Sequence, residues 1–235
     1  MAQPNIRFVV VKTVEQQAVL SMHRARQGLV KMRTAQANQI RGLLAEFGLI
    51  VPQGIHQLRR QLPARLEVSE AELGVPTRQL LARLGEHLIA LDREVKAIEH
   101  DIRLWHRACA ASRVLAEQPG IGPLTASAFV ATLGQAIHYK SGRPAASCLG
   151  QVPRQHSTGG KAKLLGISKR GDPYLRTLLI HGARLVMQAA SRQPEKHPWL
   201  ISLVARCGKN VARWPWPIST RQAWPGPALE VDQSQ

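Results

Sequence analysis

The chain has 235 residues, 44% of them hydrophobic, which is enough for one large domain or two small ones around a real core. Its net charge of +17 favours a polyanionic partner, nucleic acid first and an acidic membrane surface second. Three cysteines without a CxxC pair argue against a zinc site or a disulfide framework. With no signal peptide and no apolar run of about eighteen residues, we expect a cytoplasmic, nucleoid-associated protein without a membrane span.

The positive charge is concentrated in the C-terminal half. Residues 140–213 contain 14 Lys/Arg against two acids, whereas residues 67–99 are roughly balanced. A basic partner surface is therefore predicted after residue 140. Because the cations lie in predicted loops rather than on one amphipathic face, this pattern is not typical of membrane-surface binding.

The first predicted elements are a short strand and a long helix. Residues 8–11 form a β-branched, continuous apolar run, typical of a buried strand. Thr13 followed by Gln16 has the spacing of a capping box, so a helix is predicted from Val14 to about Phe47.

The first part of this helix carries an array of basic residues. In residues 1–50 the only acids are Glu15 and Glu46, so little local charge balances the array. Two interpretations stay open, a solvated helix face and a face that binds nucleic-acid phosphates. The cations are His23, Arg24, Arg26, Lys31, Arg33 and Arg41.

The middle of the chain predicts a short helix and then a long, regular one. Residues 55–66 form the short helix, and Thr77 can cap the long one after Gly74. The long helix carries apolar residues at alternating spacings of three and four, which is typical of a coiled-coil seam. The alternatives are packing within its own domain, an oligomeric coiled coil, or an antiparallel hairpin inside the chain. The seam residues are Leu81, Leu84, Leu88, Leu91, Val95, Ile98, Ile102 and Trp105.

The segment 115–133 has the pattern of a helix-hairpin-helix. Two predicted helices flank Pro-Gly-Ile-Gly, where Gly120 and Gly122 allow close backbone approach. The hairpin amides and the next helix N-terminus can bind a phosphate without reading sequence.

A glycine turn with two hydroxyl residues follows in the basic half. Ser157 is either a nucleophile whose cationic neighbours hold the attacked phosphate, or a hydrogen-bond donor in a phosphate-binding turn. His156 adjoins it, but sequence neighbours usually point apart. Further on, Asp172 and Pro173 predict another helix start. The predicted phosphate-binding residues of this half are Arg154, His156, Gly159, Gly160, Lys161, Lys163, Lys169, Arg170 and Arg176.

Several motifs together resemble one protein family. They are Gln-Pro-Gly-Ile-Gly-Pro-Leu-Thr-Ala at 118–126, Tyr-Lys-Ser-Gly-Arg at 139–143, Pro-Arg-Gln-His-Ser-Thr-Gly-Gly-Lys at 153–161, Gly-Ile-Ser-Lys-Arg-Gly-Asp-Pro-Tyr-Leu-Arg at 166–176 and Leu-Leu-Ile-His-Gly-Ala at 178–183. The chain resembles the insertion-sequence transposases that join a RuvC-like four-carboxylate (DEDD) domain to a C-terminal serine-bearing domain, the bridge-RNA-guided recombinases. The resemblance implies Mg²⁺ at the RuvC-like acids of a full-length member, and Ser157 as the residue that bonds covalently to DNA.

The sequence departs from this family's pattern in three places. Residues 7–53 resemble only the end of the RuvC-like domain and the helix after it, so we expect an N-terminally truncated copy without the four carboxylates and with no cofactor of its own. Residues 213–227 hold three Trp and four Pro where the family continues as a helix, which suggests a frameshift and a disordered tail. Gln151 follows a glycine where the family usually has an apolar residue.

We therefore expect a mainly α protein with a remnant of an α/β RuvC-like domain. The expected segments are that remnant and the basic helix at 1–54, a coiled-coil linker at 55–114, the serine-bearing domain with its helix-hairpin-helix at 115–212, and an aberrant tail at 213–235. The expected function is that of a DNA transposase in an inactive or partial copy, with DNA, a structured guide RNA and an oligomer through the 81–105 heptads as partners. The alternative is a non-catalytic nucleic-acid-binding coiled-coil protein that modulates full-length transposase.

Overall fold

The structure, a computed structural model, describes residues 11–68, 73–134, 146–159 and 163–212. The chain divides into two compact units. The middle unit is Ser21–Asp101, and the terminal unit comprises Met1–Leu20 and Ile102–Gln235. The middle unit therefore joins residues that the sequence-based boundary at 54/55 separates.

The described chain is mainly helical, as predicted. Its one small sheet within the described ranges is an antiparallel pair of short strands. In chain order the elements are α1 (Val14–Glu46), α2 (Ile55–Val68), α3 (Val75–Ala108), α4 (Ala110–Ala116), α5 (Pro123–Leu133), β1 (Pro153–Gln155), β2 (Leu164–Ile167), α6 (Pro173–Arg192), a 3-10 turn (Pro194–Lys196) and α7 (Pro198–Ala212).

The start of α1 confirms the predicted capping box. The Thr13 amide donates to Gln16 Oε1 at 3.0 Å, and the Gln16 amide donates to Thr13 Oγ1 at 3.1 Å. Each side chain therefore satisfies an amide that the first helical turn leaves without a partner. The predicted strand at 8–11 lies outside the described residues except for Val11, which is 88% exposed and belongs to no strand.

The prediction that Thr77 caps α3 is wrong by three residues. The helix begins at Val75, and the Arg78 amide donates to the Gly74 carbonyl at 3.1 Å. Gly74 therefore takes the cap position, and Pro76 lies in the first turn, where an absent N–H leaves nothing unsatisfied.

The core of the middle unit is formed by all three of its helices. Ile40 and Leu44 of α1 and Leu58 of α2 cluster with Leu81 and Leu88 of α3. The seam residues Leu81 and Leu88 are therefore buried within this chain, and Leu91, Val95 and Ile102 are buried as well. The oligomer expected through the 81–105 heptads stays a prediction.

Polar contacts in the middle unit show that α1 and α3 run antiparallel. Arg26 pairs with Glu99, Arg33 with Asp92, and Gln36 with His87, so residue numbers fall along α3 as they rise along α1. The structure thus contains packing of α3 within its own domain, with α1 antiparallel to it.

The terminal unit has two apolar clusters that join at α6. Leu115 of α4 and Phe129 of α5 pack with Leu175 and Leu179 of α6. Further along α6, Val186 and Ala190 pack with α7, through Leu200 and Leu203. Helix α6 thus supports both the α4–α5 pair on one side and α7 on the other.

Lys12 and Glu15 connect the N-terminal part of the terminal unit with its later residues through hydrogen bonds. Lys12 Nζ donates to the carbonyl oxygens of Ala131 and Thr132 at 3.3 and 2.7 Å, at the C-terminal end of α5. A cation at a helix C-terminus is stabilised by the helix dipole. Trp105 Nε1 also donates to Glu15 Oε1 at 2.6 Å.

Candidate nucleic-acid interface

A small β-hairpin carries Ser157 at an exposed position. Strands β1 and β2 pair with Pro153 opposite Ile167 and Gln155 opposite Leu164, with an irregular register between them. The Ser157 hydroxyl lies just beyond β1 and accepts a hydrogen bond from Gln155 Nε2 at 2.9 Å.

The cations predicted around Ser157 are at the solvent surface where the structure describes them. Arg154, His156 and Lys163 are exposed, as is Gly159 with its positive φ of 58°. The His156 amide donates to the Lys163 carbonyl at 2.9 Å, which closes the hairpin beside Ser157. The predicted residues Gly160 and Lys161 lie outside the described residues.

Two turns, one before β1 and one after β2, form backbone hydrogen bonds with each other at the base of the hairpin. The amides of Ser168 and Lys169 donate to the carbonyls of Val152 and Gly150 at 2.8 and 3.0 Å. A Cβ on Gly150 would lie 2.7 Å from the Arg170 amide nitrogen, so only glycine fits this approach. The exposed side chains of Lys169 and Arg170 are thus carried by a tightly packed turn, in which Lys169 has a φ of 56°.

Helix α6 starts as the sequence predicts, and its first basic residue has a supporting contact. The Asp172 carboxylate accepts from the amides of Tyr174 and Leu175 at 2.8 and 3.1 Å. Arg176 is half-buried, and its Nη1 donates to the Leu149 carbonyl at 3.1 Å. At least part of the Arg176 guanidinium therefore holds the turn instead of facing solvent.

Gln151, next to this turn, is buried without a side-chain partner. It is 2% exposed, and neither of its amide atoms forms a hydrogen bond within the described part of the chain. A buried polar group without a partner is costly, so this residue weakens the base of the hairpin.

The two predicted hairpin glycines of the α4–α5 segment differ in their surroundings. Gly120 has a φ of 82°, and a Cβ there would lie 2.9 Å from the Gly182 carbonyl oxygen. Gly120 therefore allows close packing against α6, and its predicted phosphate contact stays a prediction. Gly122 is exposed and precedes Pro123 at the start of α5, and a Cβ placed on it would meet no atom within 4 Å.

The basic array on α1 is partly neutralised by α3. Arg26 pairs with Glu99 at 2.6 Å and Arg33 with Asp92 at 2.7 Å, so both guanidinium groups have an acidic partner within the chain. Arg24 and Lys31 are exposed and have no ion pair in the part of the chain that the structure describes. The sequence count of acids missed these partners because they come from a distant helix.

Asp92 forms ion pairs with cationic residues from all three helices of the middle unit. Besides Arg33, it pairs with Arg59 of α2 at 2.7 Å and with Lys96 at 3.0 Å. Burial favours the protonated carboxyl, but the hydrogen bonds and charges of these cations outweigh it and hold the pKa of Asp92 below its ordinary value.

Gln155 is the contact of Ser157 that sequence analysis missed. Its position two residues before the serine was a usable signal, because alternate residues of an extended segment point to the same side. Within the described ranges, no group of three or more His, Cys, Asp or Glu residues could hold a metal ion. In the same ranges, no helix is long and apolar enough to cross a membrane.

The fold and this site define a class of protein, a helical protein whose basic half presents a hydroxyl-bearing hairpin suited to a polyanionic backbone. Comparison with known proteins makes this class specific. Residues 112–198, which include α5, the hairpin and α6, match the family described as Transposase IS116/IS110/IS902 family. Together with its relatives, this match shows that the chain belongs to that transposase family.

Three relatives illustrate the match. A "Probable family 20 transposase" of Pseudomonas aeruginosa is 45% identical, over 89% of this chain and 63% of the relative. The "Transposase for insertion sequence element IS1111A" of Coxiella burnetii is 38% identical, over 90% of this chain and 58% of the relative. The "Transposase for insertion sequence element IS1328" of Yersinia enterocolitica is 36% identical, over 94% of this chain and 68% of the relative. The chain thus spans about six tenths of the length of the first two relatives.

Proposed function

We propose that this chain binds DNA in insertion-sequence transposition and that Ser157 attacks a phosphodiester. Family membership and the names of the relatives support transposition as the process. The observation that carries the chemistry is the exposed Ser157 hydroxyl, hydrogen-bonded by Gln155 on a hairpin with a tightly packed basic base.

In the proposed step, a bond forms between Ser157 Oγ and phosphorus while the bond from phosphorus to one deoxyribose oxygen breaks. The serine proton leaves with a general base, and the departing oxygen takes up a proton. The product is a phosphodiester between serine and DNA, so a deoxyribose hydroxyl can later reverse the exchange without an external energy source. Arg154, Lys163 and Arg170 are the exposed cations suited to stabilise the additional negative charge on the phosphoryl oxygens.

The resemblance to the four-carboxylate recombinases raises the question of Mg²⁺. A catalytic magnesium site needs clustered oxygen ligands. The described residues do not fit this requirement, since they include no group of three or more potential ligands. Ser157 and its neighbours carry the proposed step, and no part of it is assigned to Mg²⁺.

The test measures covalent attachment and binding separately. Purified protein is mixed with a labelled duplex from the flanks of its coding gene, and DNA that stays attached after denaturation is quantified. We expect an adduct with the wild type, none with Ser157→Ala, and equal binding by both. Thr158→Ala, which removes the neighbouring exposed hydroxyl, is the matched control and should keep the adduct.

Two outcomes would overturn the serine chemistry. An adduct that persists in Ser157→Ala would assign the nucleophile to another residue. Binding without an adduct from any form would leave a nucleic-acid-binding protein that modulates full-length transposase. Parallel titrations with duplex DNA and structured RNA show which polymer is bound, since a guide RNA is a partner implied only by the resemblance.

A further inference from the structure

The outer face of α6 is a basic stripe that the serine site does not use. Leu179, Val186 and Ala190 occupy the opposite, buried face of the helix. Arg184 and Arg192 are eight residues apart on the exposed face, about 12 Å along the helix axis. The exposed residues that recur every three or four positions along this stripe are His181, Arg184, Gln188 and Arg192.

An exposed tryptophan follows this stripe. Trp199 is 52% exposed in the first turn of α7, although its neighbour Leu200 and Leu203 are buried against α6. The buried apolar face of α7 therefore does not include Trp199. A half-exposed indole offers a flat surface on which a nucleobase can stack.

The charge of the segment that contains Trp199 favours a polyanionic partner. Residues 173–212 contain six Lys/Arg and one acid, Glu195. Lys196 is exposed in the 3-10 turn between Arg192 and Trp199. An apolar protein partner would have to desolvate these cations, whereas a polyanion neutralises them.

We propose that Arg184, Arg192, Lys196 and Trp199 form a binding surface for an unpaired DNA strand. The three cations contact phosphates, and Trp199 stacks on a base. A duplex cannot offer this base because its faces are already stacked, so the surface selects single strands. The proposal shares with the proposed function only the assumption that DNA is bound, and none of its residues lies in the Ser157 hairpin.

The test uses the full chain and fluorescence anisotropy with a labelled oligothymidine of about 20 nucleotides and a duplex of equal length. We expect Trp199→Ala to weaken single-strand binding about tenfold with an unchanged salt slope, while Trp199→Phe stays within about threefold. Duplex binding should be the same in all three. Arg184→Ala and Arg192→Ala should each lower the single-strand salt slope by about 0.7.

Matched controls lie in the middle unit. Val75→Ala removes another exposed apolar side chain and Arg83→Ala another exposed cation, and both should bind single strands like the wild type. The titration measures binding and not the adduct, so a failure of the serine chemistry does not change its interpretation.

Three results would overturn the proposal. The first is that Trp199→Ala binds the oligothymidine as tightly as the wild type does, or that it loses as much affinity for the duplex as for the oligothymidine. The second is a loss for oligouridine alone, which would make the partner RNA. The third is a changed sedimentation coefficient of Trp199→Ala at unchanged DNA affinity, which would assign the surface to a second copy of the chain.

Discussion

At the scale of single residues, Gln151 makes the sharpest prediction. Its buried amide has no hydrogen-bond partner in the described part of the chain. Gln151→Leu keeps the side-chain volume and removes the unsatisfied groups, so the free energy of unfolding should rise by about 1–2 kcal/mol. Urea denaturation followed by circular dichroism measures this change.

The matched control is Gln188→Leu on the exposed face of α6, which should leave the unfolding midpoint nearly unchanged. A lower midpoint for Gln151→Leu would contradict the prediction and would show that water or a ligand satisfies the buried amide.

Residue-level predictions from sequence succeed where the partner is close along the chain. The Thr13–Gln16 capping box and the Asp172 cap were predictable because each partner lies within three residues. The ion pairs of Arg26 and Arg33 were not, since their partners lie on α3, more than fifty positions away. Local counts of acids therefore overestimated the free charge on α1.

At the scale of elements, Asp92 ties the three helices of the middle unit together. Asp92→Asn keeps the shape but removes the negative charge that Arg33, Arg59 and Lys96 share. We expect a loss of about 2 kcal/mol in unfolding free energy, below the full value for a buried pair because the cations are partly exposed. Urea denaturation at neutral pH measures it.

The same carboxylate predicts a pH dependence. The pKa of Asp92 is lower in the folded chain than its ordinary value, so the folded state binds fewer protons. Its stabilisation is present above a pH of about 4 and is lost as the pH falls through the folded pKa. The difference between wild type and Asp92→Asn should therefore shrink in acid. A difference that is constant with pH would contradict this assignment.

The sequence correctly predicted α3 as a helix with an apolar seam. It did not show which surface packs against that seam. A spacing of three and four marks the buried face, but the same pattern suits a second chain or a neighbouring helix. The choice depends on Ile40, Leu44 and Leu58, whose proximity to the seam is a property of the folded chain.

At the scale of the whole molecule, charge was the most informative sequence signal. The basic C-terminal half indicated a polyanionic partner, and the family match covers the hairpin and α6 within that half. Charge alone could not separate free cations from those used internally, such as Arg176 on the Leu149 carbonyl. Nor could it show that Trp199 stays exposed, since burial depends on packing between α6 and α7.

The net charge of +17 makes a prediction for the complete chain. Like charges repel one another in the folded state, and a bound polyanion relieves this repulsion. A duplex DNA at about 100 times its dissociation constant should stabilise the fold by about 2.7 kcal/mol, which corresponds to a Tm rise of roughly 5–10 °C. Differential scanning calorimetry at low salt measures it, with an uncharged polymer as control. The shift should disappear at about 0.5 M salt, where phosphate contacts weaken, and a shift that persists would show that charge does not drive binding.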